Sequence, residues 1–262
     1  MQPLFFGSEP KRLFGVYHGV ESREMRESGV LLCPPIGQEG IRAHRACRQL
    51  ATLLAQAGFP TLRFDYFATG DSAGESADGS VESWIQDVRT ATDELKDLSG
   101  VERVSWVGFR FGASLAVLAA RGRRDLDALV LIEPVVSGGD YLRELGEMHA
   151  AFMRAEFPEF TPGRSRDSAA GLDEAIGWPM SARLREEIAA IDLPAGPVPP
   201  VHRIVLISAS EEEREDQRRI IGKAAAIGLP ATFIHAADAT LWNQEDVRVP
   251  MKTLQAVITT LS

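Results

Sequence analysis

The chain of 262 residues is long enough for one large α/β domain with a substantial core. Its 45% hydrophobic and 25% charged residues are ordinary for a globular protein, and its net charge of −9 argues against broad nucleic-acid binding. No apolar run approaches the roughly 20 residues that span a bilayer, the N-terminus lacks the pattern of a secretory signal, and two cysteines make no disulfide framework, so we expect a cytoplasmic protein with free thiols.

The first half of the chain alternates short apolar strands with helices. Apolar side chains at helical spacing, a glycine stop at Gly58 and a Gly- and Ser-rich loop at 68–80 punctuate the pattern. Strands are predicted at 4–6, 13–17, 29–33, 60–65 and 101–107, and helices at about 41–57, 81–98 and 113–121. This alternation indicates βαβ units and a mostly parallel sheet, that is, an α/β fold.

The alternation stops between residues 139 and 195, where aromatic residues and methionines lie among Pro and Gly. We expect an inserted helical cap at 139–195 and a core formed by 1–138 and 196–262. A strand at 128–133 ends the first part of the core. The core resumes with strands at 203–208 and 231–234 and with helices near 213–227 and 247–261. The aromatic and methionine side chains either pack the cap or line an apolar acyl pocket; they are Met148, Phe152, Met153, Phe157, Phe160, Trp178 and Met180.

The most informative segment is Gly108-Phe109-Arg110-Phe111-Gly112, which stands between a buried strand and an apolar helix. A strand, a tight turn flanked by glycines and a helix form the context of a Gly-x-Ser-x-Gly nucleophile elbow. Arginine occupies the serine position. Because a guanidinium is a poor nucleophile and stays protonated at neutral pH, serine-hydrolase chemistry is not expected here.

The chain resembles the α/β-hydrolase superfamily, in particular its serine-aminopeptidase-like branch. The resemblance rests on residues 33–39, on 63–74 and on the elbow. Within that branch it resembles hydrolases found beside exosortase systems and natural-product gene clusters, some of which also carry Gly-x-Arg-x-Gly in the elbow. Residues 133–143 and 177–181 are similar to later segments of that group. The resemblance implies an α/β-hydrolase fold with a cap.

The chain departs from this family at the catalytic triad as well as at the serine. Relatives carry a histidine in the loop after the last strand, whereas residues 236–245 contain none, and His235 stands too early. The resemblance places an acid among the glutamates at 211–213. An acid without serine and histidine does not support acyl-enzyme chemistry.

The loop that supplies an oxyanion donor in relatives is also altered. Pro34 and Pro35 have no N–H to donate. The second donor of the family, the backbone N–H after the nucleophile position, corresponds to Phe111 and is expected to remain. A helix N-terminus at this point favours anions, and a guanidinium adds bidentate geometry for a carboxylate or phosphate.

Ligands of open α/β sheets bind at the carboxyl ends of the strands, which brings the candidate residues to one mouth. We expect Arg110, Glu133 and Glu39 to form a catalytic set, with Glu133 or Glu39 as the ion-pair partner of Arg110 or as a general base. The expected ligand contacts are Phe111, Cys33, Gln38, Phe109 and Trp242.

Other candidates have simpler interpretations. Cys33 has no obvious histidine nearby to activate it as a nucleophile. His44 is expected to be a solvated or hydrogen-bonded histidine on a helix, and Ser72 is expected to form hydrogen bonds within a turn. The five histidines are scattered and match no metal-ligand spacing, and there is no dinucleotide or P-loop motif, so neither metal nor cofactor is expected.

Three functional hypotheses follow. The first is a cofactor-free, non-hydrolytic enzyme of biosynthetic metabolism in which Arg110 stabilises a carboxylate or enolate of a small acyl-derived molecule. The second is a ligand-binding protein without turnover. The third is a pseudoenzyme that serves as a partner subunit, in which Arg110 merely fills a dead pocket. A homodimer or a biosynthetic partner protein is the assembly considered for the chain.

Overall fold

The computed structural model describes residues 1–20, 24–157, 172–240 and 248–262, and an eight-stranded sheet forms its centre. Its strands are β1 Gln2–Phe6, β2 Leu13–His18, β3 Ser28–Cys33, β4 Thr61–Phe64, β5 Arg103–Phe109, β6 Leu126–Ile132, β9 Arg203–Ser208 and β10 Ala231–His235. In spatial order the sheet runs β1-β2-β4-β3-β5-β6-β9-β10. Strand β2 pairs antiparallel with β1 and β4, and every other pairing in this sheet is parallel.

Helices cover both faces of this sheet, as right-handed crossovers between parallel strands require. They are α1 Gly37–Gln56, α2 Val81–Ser99, α3 Phe111–Ala120, α4 Gly138–Glu156, α5 Ala182–Ala189, α6 Glu215–Ala226 and α7 Met251–Leu261. Two clusters of buried apolar side chains result. One contains residues of α2, α3, α4 and α5, and the other contains residues of α1 and α7. The predicted α/β-hydrolase architecture is therefore confirmed.

Helix α1 begins at Gly37, about one turn earlier than the predicted start near residue 41. The first turn is polar and lacks the apolar spacing on which the prediction relied. The earlier start places Glu39 in the first turn of the helix, where its side chain is buried rather than capping a helix end.

The segment predicted as a cap contains α4, α5 and a two-strand hairpin, β7 Glu174–Ala175 with β8 Trp178–Pro179. Leu142, Leu145 and Met180 belong to the cluster that packs on the sheet, whereas Phe152 and Phe157 are exposed. Phe160 lies outside the described residues. The division into core and cap at 139 and 195 stays a prediction.

Asp87 on α2 makes stability depend on pH in a testable way. Its carboxylate is buried and accepts a hydrogen bond of 2.8 Å from the Phe67 backbone N–H, and burial raises its pKa to about 6. The unfolded carboxyl has a pKa near 3.9, so the folded state binds the proton more tightly and loses stability as pH rises from about 4 to about 6. The loss amounts to about 3 kcal/mol.

Asp87→Asn removes this titration. The variant should therefore gain stability relative to wild type as pH rises. Its free energy of unfolding in urea, minus that of wild type, should be about 3 kcal/mol larger at pH 7.5 than at pH 4. Asp97→Asn, at an exposed position of the same helix, serves as the control. Parallel pH profiles for wild type and Asp87→Asn would show that the burial of Asp87 is not what limits stability at neutral pH.

Candidate functional site

The turn between β5 and α3 has the geometry of a nucleophile elbow with arginine at its apex. Arg110 has φ 50° and ψ −120°, a strained conformation for a residue with a side chain. Its N–H donates to the Ile132 carbonyl at 2.9 Å, which ties the turn to β6. A Cβ at Gly108 would lie 2.4 Å from the Ala113 Cα, so the tight turn requires glycine there.

The Arg110 side chain lies in the interior and is paired with two carboxylates. Its Nε donates to Glu39 Oε1 at 2.7 Å, and its Nη2 donates to Glu144 Oε1 at 2.6 Å. Only 8% of the arginine side chain is exposed. Burial alone would lower its pKa, but the two carboxylates more than offset this and hold the pKa above its usual range. Arg110 is therefore a permanent cation in a charge-neutralising cage.

Glu39 is the deepest member of the cage and has a second partner in the predicted cap. Its Oε2 accepts a hydrogen bond of 3.0 Å from the Tyr141 hydroxyl, while Oε1 accepts from Arg110. Burial raises the pKa of Glu39, and Arg110 acts in the opposite direction. The Tyr141 ring also lies beneath the guanidinium, 5.7 Å from its carbon, and stacks on Phe111 at 5.3 Å.

Sequence reasoning missed two members of the cage, Tyr141 and Glu144, both on α4. Three residues apart on a helix, they lie on the same face. The only sequence signal for them is this spacing of three residues, together with the need of a buried arginine for an acid partner. The two acids differ in access, because the Glu144 side chain is 43% exposed and that of Glu39 is 3% exposed.

Glu133 was expected as a possible partner of Arg110, and the structure places its hydrogen bonds elsewhere. Its Oε1 accepts from the Ser208 hydroxyl at 2.8 Å and from the Ala209 N–H, and its Oε2 pairs with Arg214 at 3.3 Å. Glu133 has a φ of 44°, which turns the chain at the end of β6 toward β9. Glu133 therefore connects the end of β6 to the end of β9. The acid partners of Arg110 are Glu39 and Glu144 instead.

The other expected contacts lie around the elbow with different accessibilities. Phe109 and Phe111 are completely buried, on opposite faces of the sheet. Cys33 ends β3 and is also buried, which raises the pKa of its thiol far above the usual range, so it is an inert thiol rather than a nucleophile. Gln38 lines the cleft beside the cap hairpin. Trp242 lies outside the described residues.

The former oxyanion loop presents carbonyl oxygens to the elbow helix. A Cβ at Gly112 would lie 2.2 Å from the Pro34 oxygen and 2.3 Å from the Cys33 oxygen. The same Pro34 oxygen accepts a hydrogen bond of 3.2 Å from Tyr66. These carbonyls pack against the elbow helix, and Pro34 and Pro35 have no N–H to donate to an oxyanion.

The remaining polar candidates have structural partners. The Ser72 hydroxyl donates to the Asp65 carbonyl at 2.6 Å and accepts from the Phe14 N–H at 2.8 Å, which joins its loop to β2 and to the end of β4. His235 is exposed, and its Nδ1 lies 3.0 Å from the Ser210 carbonyl oxygen. Across the described ranges no group of three or more His, Cys, Asp or Glu side chains is arranged to hold a metal ion. No described helix is long and apolar enough to cross a membrane.

A small cavity of about 20 Å³ adjoins Glu39 and Tyr141 beneath the cap hairpin. Its other walls are mainly apolar and include Met148, Trp178 and Met180. It has room for about one water molecule. A cleft of about 230 Å³ shares Gly37, Gln38, Ile176 and Trp178 with it and leads outward. The cleft therefore leads inward to a small cavity in which Glu39 is surrounded by mainly apolar side chains.

The fold and the elbow define an α/β-hydrolase-fold protein. The family model for serine aminopeptidase, S33 (Hydrolase_4), matches residues 40–260, and the chain belongs to that family. This confirms the resemblance to the serine-aminopeptidase-like branch. No curated protein matches the sequence significantly.

Solved structures share the fold at low sequence identity. DcsB, determined in complex with its substrate analogue, matches with a TM-score of 0.63 at 15% identity and covers 98% of this chain and 97% of its own. The esterase PF2001 of Pyrococcus furiosus gives 0.62 at 15% identity, covering 99% and 89%. Mouse alpha/beta hydrolase domain-containing protein 10 gives 0.59 at 18% identity and covers both chains fully. These likenesses concern the fold alone.

Arg110→Ser is expected not to produce an esterase. The new serine would stand in a strand–turn–helix elbow, but no histidine follows Ala236 in the sequence, and Pro34 and Pro35 supply no N–H donor for an oxyanion. Hydrolysis of p-nitrophenyl acetate and butyrate by the purified variant should equal that of wild type within error. A rate at least a hundredfold above wild type would contradict this and would mean that another base serves the elbow.

Proposed function

We propose that this chain is a non-hydrolytic member of the family that binds a carboxylate- or acyl-derived small molecule at Arg110. The observation that carries the proposal is the unequal access of the two acids on Arg110. Glu39 is buried, whereas Glu144 stands at the solvent edge with 43% of its side chain exposed. A ligand carboxylate has the same charge and geometry as Glu144 and can take its place on Nη2.

Glu39 then supplies the proton chemistry of the proposed enzyme. It is fixed by Arg110 and Tyr141, and burial raises its pKa, a direction that favours general acid–base catalysis by a carboxyl group. In the proposed reaction Arg110 stabilises a carboxylate or the enolate that develops from an acyl group, and Glu39 accepts or donates the proton. An elimination, a carbon–carbon bond step or a ring closure would use this pair without a cofactor.

The test compares wild type with Glu144→Gln, which removes the internal competitor for Arg110. Glu147→Gln, an exposed acid on the same helix, is the matched control. Small carboxylates and acyl thioesters are titrated by calorimetry and thermal shift, and each mixture is examined for products by mass spectrometry. We expect Glu144→Gln to bind a carboxylate at least tenfold more tightly than wild type, Glu147→Gln to match wild type, and Arg110→Met to lose binding at the elbow.

Turnover with dependence on Glu39 would establish the enzyme, and binding without a product would identify a ligand-binding protein. The proposal is wrong if neither wild type nor Glu144→Gln binds any member of the panel.

A second candidate function, a pseudoenzyme subunit, is favoured by one observation. Both acids already satisfy Arg110 and attach α4 to the elbow, as a structural filler would. In that case no ligand binds to wild type or to Glu144→Gln, and Arg110 contributes only to stability. Size-exclusion chromatography with light scattering would then show whether the chain is a homodimer or awaits another protein.

A further inference from the structure

A further cavity near the mouth of the sheet lies away from Arg110, beside α1. It measures about 400 Å³ and lies between the first half of α1 and the ends of β3 and β4. Apolar side chains, including Ile36, Ile41 and Phe64, form much of its wall. Arg63 and His44 also line it, whereas Arg110, Glu39 and Glu144 do not. It is a separate site from the elbow cage.

Arg63 brings a positive charge to this cavity without a salt-bridge partner among the described residues. The residue is half-buried, and within the described ranges no carboxylate lies within 4.0 Å of its guanidinium. A partly buried guanidinium without an ion-pair partner keeps donors available for a ligand anion. Burial lowers the pKa of Arg63, and Asp65, which lines the same cavity, acts in the opposite direction.

Two histidines hold the guanidinium in place without neutralising it. Arg63 Nε donates to His18 Nε2 at 3.4 Å, and Nη1 lies 3.2 Å from His44 Nε2. An imidazole can accept from a guanidinium only when it is neutral. Burial, with Arg63 as the next cause, lowers the pKa of His18 to about 4, so that ring is uncharged at neutral pH. The arginine is thus oriented while its charge remains available.

The acid that shares the cavity, Asp65, is oriented toward its own loop. Its Oδ2 accepts a hydrogen bond of 3.0 Å from the Asp71 N–H, and burial raises its pKa. A ligand in this cavity therefore meets a cation at Arg63, a hydrogen-bonded acid at Asp65 and an apolar wall formed by α1. A compact anion with an uncharged remainder fits this arrangement.

We propose that Arg63 and His44 form a binding site for the anionic headgroup, a carboxylate or a phosphate, of a small molecule, independent of the site at Arg110. The guanidinium binds the anion through Nη2, and His44 is close enough to contact the same headgroup. The remainder of the molecule packs along Ile36 and Ile41 toward the adjoining cleft, which shares Gly37, Ile41, Thr69 and Gly70 with this cavity.

The test uses inorganic phosphate and acetate as probes at constant ionic strength, measured by calorimetry and by the ¹⁵N resonances of labelled histidine. Arg63→Gln is compared with Arg45→Gln, which removes the same charge from an exposed position of α1. We expect at least one anion to bind wild type and Arg45→Gln equally, to shift the His44 resonances, and to bind Arg63→Gln at least tenfold more weakly. Phosphate and acetate distinguish the two headgroup classes.

The proposal is overturned if neither anion binds wild type, if Arg63→Gln binds as wild type does, or if Arg45→Gln weakens binding equally, which would indicate a general charge effect. Should Arg63→Gln not fold, anion-dependent shifts at His44 in the wild type decide the matter, since their absence excludes the site. Arg110→Met provides a further arm, because unchanged anion affinity in that variant separates this site from the proposed function.

Discussion

Arg110→Met is expected to destabilise the protein by about 3–5 kcal/mol at pH 7.5, because it leaves the buried Glu39 carboxylate without its cation. In a chain of this length the melting temperature should fall by on the order of 10 °C. Protonation of Glu39 relieves the cost, so the loss should shrink at pH 5. In the variant the folded-state pKa of Glu39 lies above its unfolded value, and stability is lost as pH rises through that interval.

Two comparison variants separate the buried pair from a general effect of losing an arginine. Arg143→Met, on the exposed face of α4 and paired with Asp140 at the surface, should cost less than about 1 kcal/mol. The double variant Arg110→Met with Glu39→Gln should regain most of the lost stability at pH 7.5. Equal stability of wild type and Arg110→Met at both pH values would mean that Glu39 and Arg110 do not depend on each other.

Gly112→Ala is expected to lower the free energy of unfolding by about 3 kcal/mol, although alanine usually favours a helix over glycine. The added methyl group would lie 2.2 Å from the Pro34 oxygen and 2.3 Å from the Cys33 oxygen, and neither can move without shifting β3 from its neighbour β5. Chemical denaturation monitored by circular dichroism measures the change.

Gly146→Ala on α4 is the matched control, because no atom lies within 4 Å of its added carbon. That variant should be neutral or gain up to about 1 kcal/mol. If both alanine variants behave alike, the close approach of α3 to the oxyanion loop does not constrain the elbow.

The strands and helices of the sheet were predictable because their patterns are local. Apolar runs between glycines and prolines located β5, β6 and β9 within a few residues, and the glycines of the elbow located its turn. The partners of Arg110 were not predictable in the same way. Glu39 was one of two candidates, and Glu133 was the other. The choice depends on how the first turn of α1 and the path of α4 approach the elbow in three dimensions.

Glu144 and Tyr141 illustrate why cap residues escape sequence reasoning. Nothing in the sequence near α4 distinguishes Glu144 from Glu147, yet one contacts Arg110 and the other is exposed. The rotation of the helix about its axis decides between them, and packing of Leu142 and Leu145 on the core sets that rotation. His44 and Arg63 likewise meet only because β4 lies beneath α1.

The shared hydrogen bonds of Arg110, Glu39 and Tyr141 have an evolutionary consequence. A change at any one of these positions leaves a buried charge or hydroxyl without its partner, so each residue makes the others harder to replace. A return to serine at the elbow would therefore pass through less stable intermediates, even though the surrounding turn still accepts it. We expect descendants of this chain to retain the three residues as a set or to lose them together.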